Sequence, residues 1–211
     1  MDFTFSPEQE AVRDAVARIC AKYDDTYWLA RDTDGEFPED FVADIASGGW
    51  LGIAMPEAYG GAGLGVTEAA IIAQTIAESG ACLSGASSIH MNLFGPMPVV
   101  VFGTAEQKER MLVPLIKGED RCCFGVTEPD AGLNTTAIST RAEKAGDHYL
   151  VHGRKMWTST AQTANKILLL ARTTPKEDCA KPTEGLSLFY TDLDRGGATE
   201  VREIAKMGRK A

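Results

Sequence analysis

Apolar positions change their period once along this chain, near Gly118-Glu-Asp120. Before that point they recur every three to four residues, as on one face of a helix. Ser6-Pro-Glu-Gln9 combines an N-cap, a proline at the first helical position and a capping-box glutamine. Ala11, Val12, Ala15, Val16 and Ile19 then follow at helical spacing. Phe37-Pro-Glu-Asp-Phe41 opens a second helix, which carries Phe41, Val42 and Ile45 and stops at Gly48-Gly49. Thr67 begins a third, with Ala70, Ile71, Ala73, Ile76 and Ala77 on its apolar side. Residues 84–102 read as a fourth, interrupted at Gly95-Pro96. Thr104-Ala-Glu-Gln107 is another capping box, for a helix ending near Lys117-Gly118.

From Arg121 the runs are short, apolar or β-branched, and separated by Gly, Asp and Pro. Residues 122–126, 139–143, 149–152, 166–171 and 186–190 read as strands. Polar and apolar residues alternate over 199–204, and Lys144-Ala-Gly-Asp-His148 reads as a hairpin loop. The fold class expected is α+β: a helical domain over 1–119, then an antiparallel β-barrel domain over 120–211. The barrel reads as incomplete, because its last strand signal gives way to Lys206-Met-Gly-Arg-Lys-Ala211 and leaves an edge open.

Composition narrows the partners. The 211 residues are 44% hydrophobic and 24% charged, ordinary for a globular protein, and the formal net charge is −9. That balance argues against nucleic acid as a partner, which needs clustered Lys and Arg. No segment reaches the roughly 20 apolar residues that span a bilayer. The first residues, Met1-Asp-Phe-Thr-Phe-Ser6, have neither the basic start nor the apolar core of a signal peptide. Five cysteines without a C-x-x-C pair read as reduced thiols of a cytoplasmic protein, with Cys122-Cys123 packed in the core. His90, His148 and His152 show no metal-ligand spacing, so no metal is expected.

The chemistry-bearing stretch is Phe124-Gly-Val-Thr-Glu-Pro-Asp-Ala-Gly-Leu-Asn134, followed by Lys155-Met-Trp-Thr-Ser159. Phe124, Val126 and Thr127 lie on a strand-like run beside a sharp turn at Glu128-Pro-Asp-Ala-Gly132, which offers backbone N–H groups. Trp157 and Ser159 share a face if their segment is extended. An aromatic wall with hydroxyl donors suits a flat heteroaromatic ring with polar edges. The same pattern also describes a barrel core with a buried Trp and satisfied hydroxyls. Gly60-Gly-Ala-Gly-Leu-Gly65 is glycine-rich but follows no strand, so it reads as a structural loop and not as a dinucleotide site.

Four stretches resemble the acyl-CoA dehydrogenase family, in that family's order. They are Pro56-Glu-Ala-Tyr-Gly-Gly-Ala-Gly-Leu-Gly65, Phe102-Gly-Thr-Ala-Glu-Gln-Lys108, residues 124–134, and Gly153-Arg-Lys-Met-Trp157. The resemblance implies FAD as cofactor and α,β-dehydrogenation of an acyl-CoA thioester to a trans-2-enoyl-CoA. It implies an electron-transfer flavoprotein as acceptor, and a homo-oligomer or a complementing C-terminal chain. It assigns Phe124, Val126, Thr127, Gly132, Trp157 and Ser159 to the cofactor. It assigns Leu133 to the substrate, with Met91 and Leu93 either lining the acyl pocket or packing in the helical core.

The family's catalytic Glu belongs to a C-terminal helical domain, so the base is expected beyond Ala211, and Glu128 belongs to the turn. Leu133-Asn134 stands where the family usually has Ser-Asp. Leu133 brings no hydroxyl, and Asn134 keeps the shape without the charge. Two other readings share the fold: a flavin- or acyl-CoA-binding fragment without turnover, and a flavin oxidase or monooxygenase.

Overall fold

A computed structural model describes residues 4–205, and the stretch Lys206-Met-Gly-Arg-Lys-Ala211, where the barrel reads as incomplete, lies outside them. The chain divides into two units, one running to Arg121 and the other spanning Cys122–Ile204.

The first unit is helical: α1 Pro7–Cys20, α2 Asp25–Asp34, α3 Glu39–Ser47, α4 Val66–Ile76, α5 Cys82–Phe94, α6 Met97–Phe102 and α7 Ala105–Ile116. Both capping boxes form. The Ser6 hydroxyl accepts from the Gln9 N–H, and the Thr104 hydroxyl accepts from that of Gln107. Helix α2 is an element the periodicity does not reveal. Asp24 caps it by accepting from the Tyr27 N–H, and Gly35 ends it at a φ of 69°, but of its residues only Trp28 is buried. The helices enclose Val16, Phe41, Ile45, Leu51, Ile72, Ile76, Ile89 and Leu93. Trp28 and Tyr23 each meet the Phe41 ring edge-on, at 5.0 and 5.3 Å. Gln9 Nε2 donates to Glu68 Oε1 at 2.9 Å, tying α1 to α4. The unit ends with the Arg121 guanidinium 3.6 Å from the Phe37 ring centre and forked onto both oxygens of Glu39.

The glycine-rich loop packs against the backbone of its own unit. A Cβ on Gly61 would come within 2.8 Å of the Gly52 carbonyl oxygen, and Gly60 and Gly63 have positive φ.

The second unit is a five-stranded sheet: β1 Cys122–Gly125, β2 Arg141–Ala145, β3 His148–His152, β4 Lys166–Arg172 and β5 Leu186–Asp192. The α+β class holds, but the sheet is mixed and open where an antiparallel barrel was expected. β4 is central. β5 pairs antiparallel along its whole length, and β1 runs parallel to it from Cys122↔Lys166 to Gly125↔Leu169. β2 reaches β4 only at Arg141↔Arg172 and spends the rest of its bonds on the hairpin with β3. The parallel pair arises because the chain returns from β1 to β4 by a long connection, which hairpin signals cannot report. The alternation over 199–204 builds no strand: among the described residues there is only an isolated Arg195↔Thr199 bridge across a turn at Gly196. With no neighbouring strand to receive them, these residues have no ladder to join. Cys122 and Cys123 are both buried.

Among the described residues no helix is long and apolar enough to cross a membrane, and no His, Cys, Asp and Glu cluster could hold a metal ion.

Candidate functional site

Strand β1 runs out at Gly125, and the next residues are gripped by a second segment from across the sheet. The Met156 N–H donates to the Thr127 carbonyl at 2.8 Å, and Lys155 Nζ donates to the Val126 carbonyl at 3.1 Å. Residues 126–128 and 155–156 therefore lie side by side, and Trp157 emerges at their end.

Trp157 is 59% exposed and has a φ of 58°. A bulky side chain with positive φ is strained, and an exposed one recovers little of that strain through burial. The reading of a buried Trp in a sheet core does not hold. Nor is the segment extended, so Trp157 and Ser159 do not share a strand face. Thr160, also at positive φ, turns the chain, with the Ala164 N–H donating to its carbonyl at 2.8 Å. Ser159 is half-buried within that turn, and Phe124, Val126 and Thr127 are half-buried too.

The turn after Thr127 is self-contained. The Glu128 and Ala131 N–H groups donate to each other's carbonyls at 3.0 and 3.2 Å, so two of the expected free donors are used internally. Beyond it, a Cβ on Gly132 would meet nothing within 4 Å, and Leu133 is fully exposed. Asn134 accepts from the Thr136 N–H and hydroxyl and caps a short turn, a role its amide oxygen fills without charge.

The part of the site that sequence reasoning missed lies beneath this surface. Lys155 Nζ sits 2.9 Å from Glu128 Oε1, and the two side chains are only 10% and 4% exposed. Glu128 Oε2 accepts from the Ser139 N–H and hydroxyl, each at 2.7 Å, while Oε1 also accepts from the Thr140 N–H at 2.9 Å. Burial alone would raise the Glu128 carboxyl, but hydrogen bonds from Thr140, Ser139 and Lys155 outweigh it and hold it at about 2. Burial draws the Lys155 ammonium below its ordinary value, and Glu128 offsets this only in part. Glu128 is thus ionised with its oxygens engaged, which leaves it no role as a proton acceptor. Thr140 in turn gives its carbonyl to the Arg172 N–H at 2.8 Å, and Arg172 donates to the Thr136 and Glu184 carbonyls. No signal in the sequence links residues 128, 139, 140 and 155, because their contacts are made only by the fold.

Met91 and Leu93 lie on α5 in the helical unit. Leu93 is 1% exposed within the helical core, and Met91 is buried with its methyl close to Gly95.

The N-terminal domain model of the acyl-CoA dehydrogenases matches residues 6–119, and their middle domain model matches 123–211. The chain belongs to the acyl-CoA dehydrogenase family. It is 35% identical to the 3-(aryl)acrylate reductase of Clostridium sporogenes, over 84% of this chain and 46% of that protein. It is 32% identical to the caffeyl-CoA reductase-Etf complex subunit CarC of Acetobacterium woodii, over 97% and 53%. The solved acyl-CoA dehydrogenase of Geobacillus kaustophilus superposes with a TM-score of 0.85 at 28% identity, over 98% of this chain and 53% of that one. The chain spans about half the length of the curated relatives it matches. Of the two stretches 124–134 and 153–159, residues 126–128 and 155–156 meet along a hydrogen-bonded seam of the sheet unit.

Proposed function

We propose that the chain serves FAD-dependent α,β-dehydrogenation of an acyl-CoA thioester, with electrons leaving to an electron-transfer flavoprotein. The observation that carries this reading is the seam itself: Thr127 bonded to Met156, with Trp157 standing exposed and strained at its end. An exposed aromatic beside half-buried hydroxyls, with open space at Gly132, fits a flat ring with polar edges and a phosphate-bearing tail.

FAD, when bound, supplies the hydride acceptor for the β-carbon. Phe124, Val126 and Thr127 would line the ring and its ribityl tail, Trp157 would pack on it, and Ser159 would offer a hydroxyl to its polar edge. Gly132 would let backbone approach the phosphates. Leu133 would face the substrate, whereas Met91 and Leu93, buried in the helical unit, are left to packing there. Leu133, apolar and fully exposed, brings contact area where a Ser would bring a donor. The base that removes the α-proton is assigned to none of these residues, since both Glu128 oxygens are occupied by donors from its own neighbours.

Family membership supports the reaction class, and the names of two relatives, an aryl-acrylate reductase and a caffeyl-CoA reductase, support including aromatic acyl groups among the substrates tried. The Etf complex named for one relative supports the electron acceptor. Oligomerisation and a cytoplasmic location belong to the same reading.

The test is an anaerobic visible spectrum of the purified protein before and after a panel of straight-chain, branched and aryl-acyl CoAs. The expected result is a flavin bound by this chain and bleached by one acyl class once a polypeptide carrying the base is added. A flavin that no thioester reduces would reduce the chain to a binding fragment. Absence of flavin from a protein reconstituted with FAD would overturn the reading.

A further inference from the structure

We propose that the buried Glu128–Lys155 ion pair is a positioning device that fixes the Trp157 ring at the flavin-facing wall. The inference rests on the flavin reading above and adds to it a second layer of residues that touch no ligand.

Enclosing a carboxylate and an ammonium is expensive, and an apolar pair of the same volume often stabilises a fold as well or better. A buried pair therefore calls for something besides stability, and here its geometry supplies it. Glu128 is bonded by Ser139 and Thr140 at the entrance to β2, and Lys155 bonds both Glu128 and the Val126 carbonyl. Three stretches distant in sequence thus converge on two side chains. Oε1 and Oε2 each receive two donors, which fixes the carboxylate plane and with it the direction of the Lys155 stem.

Trp157 follows two residues later with its positive φ and its exposed ring. Such a conformation persists only where neighbours over-determine it. The ring's own packing does not do so. What holds the backbone just before Trp157 is the Met156–Thr127 hydrogen bond and the Lys155 anchor. Lys155 and Glu128 are positioning residues, acting on a ligand through Trp157.

The experiment uses the chain labelled with 5-fluorotryptophan. Its three Trp resonances come from Trp28, Trp50 and Trp157, with Trp157 assigned by Trp157→Phe. The variant is the double change Glu128→Gln/Lys155→Met, which removes both charges and strands neither. The expected result is a Trp157 resonance displaced toward its unfolded position, with Trp28 and Trp50 unmoved. FAD affinity, read by quenching of flavin fluorescence, should fall about tenfold or more. A Trp157 resonance and a FAD affinity equal to the native chain's would overturn the proposal.

Should the double variant lose all three native resonances, Lys155→Arg replaces it. A planar fork in place of a compact ammonium re-aims the donors that meet Val126 and Glu128. A shift of Trp157 alone is then expected, and no shift sinks the proposal. If the native chain binds no FAD, the flavin reading fails, and the Trp157 resonance by itself decides whether the pair positions the ring.

Discussion

Thr140 leaves no room for a side chain at Gly153. A Cβ there would lie 2.6 Å from the Thr140 Cβ and 2.7 Å from its Cα. Thr140 is unable to yield, because its N–H is bonded to Glu128 and its carbonyl to Arg172. Gly153→Ala should therefore destabilise the sheet unit by about 1–3 kcal/mol, as overpacked sites do. Thermal unfolding monitored by circular dichroism checks this; an unchanged Tm would show that the contact relaxes freely.

Trp157 carries a backbone strain that its exposed ring does not offset by burial. Trp157→Gly removes a positive-φ penalty of about 1–2 kcal/mol and gives up little burial. The variant should keep its Tm within roughly 3 °C while losing FAD affinity by about tenfold or more. Unchanged flavin binding would remove Trp157 from the site.

Glu128 makes stability depend on pH in one direction. Its folded value of about 2 lies below its ordinary value of 4.5, so its contribution is complete above 4.5 and is lost as pH falls toward 2. Urea unfolding at a series of pH values should show stability declining across that window. Glu128→Gln should flatten the decline, and an equal slope in both proteins would contradict the assignment.

The thiols should separate by burial. Cys82 is exposed, while Cys20, Cys122 and Cys123 are buried, and burial pushes the Cys123 thiol up to about 12. A chromogenic disulfide reagent should modify Cys82 rapidly in the native protein and reach Cys122 and Cys123 only after denaturation. Fast native reaction at Cys123 would mean that the sheet opens readily.

Every residue of β3 is exposed, including Tyr149, Leu150 and Val151, and among the described residues its outer edge has no partner strand. Such an edge invites pairing between chains. Leu150→Lys should shift the protein toward smaller species in size-exclusion chromatography with light scattering. An unchanged distribution would place any self-association elsewhere.

What the sequence discloses follows from the range of the forces involved. Ser6 and Thr104 announce their helices because a cap acts over three residues. Val12, Val16, Phe41 and Ile45 announce the core because helical spacing is local. Helix α2 escapes because Leu29 faces solvent and Trp28 alone is buried, so no stripe develops. The strands are legible as short apolar runs, but whether β1 lies parallel or antiparallel to β4 is decided by the path between them. At the site, the motif residues could be named from resemblance. The turn at Trp157 and the ion pair beneath it could not, since Glu128 learns its partners only when residues 139, 140 and 155 arrive.

β4 takes neighbours from both directions along the chain, β1 and β2 before it and β5 after. Only the β2–β3 hairpin can assemble from adjacent residues. During synthesis each capped helix can form as it leaves the ribosome, while Cys122–Gly125 must wait for its strand partner until Lys166 and its neighbours emerge. The apolar strand that leads into the seam is thus the one that stays longest without a mate, and chaperones have most to protect there.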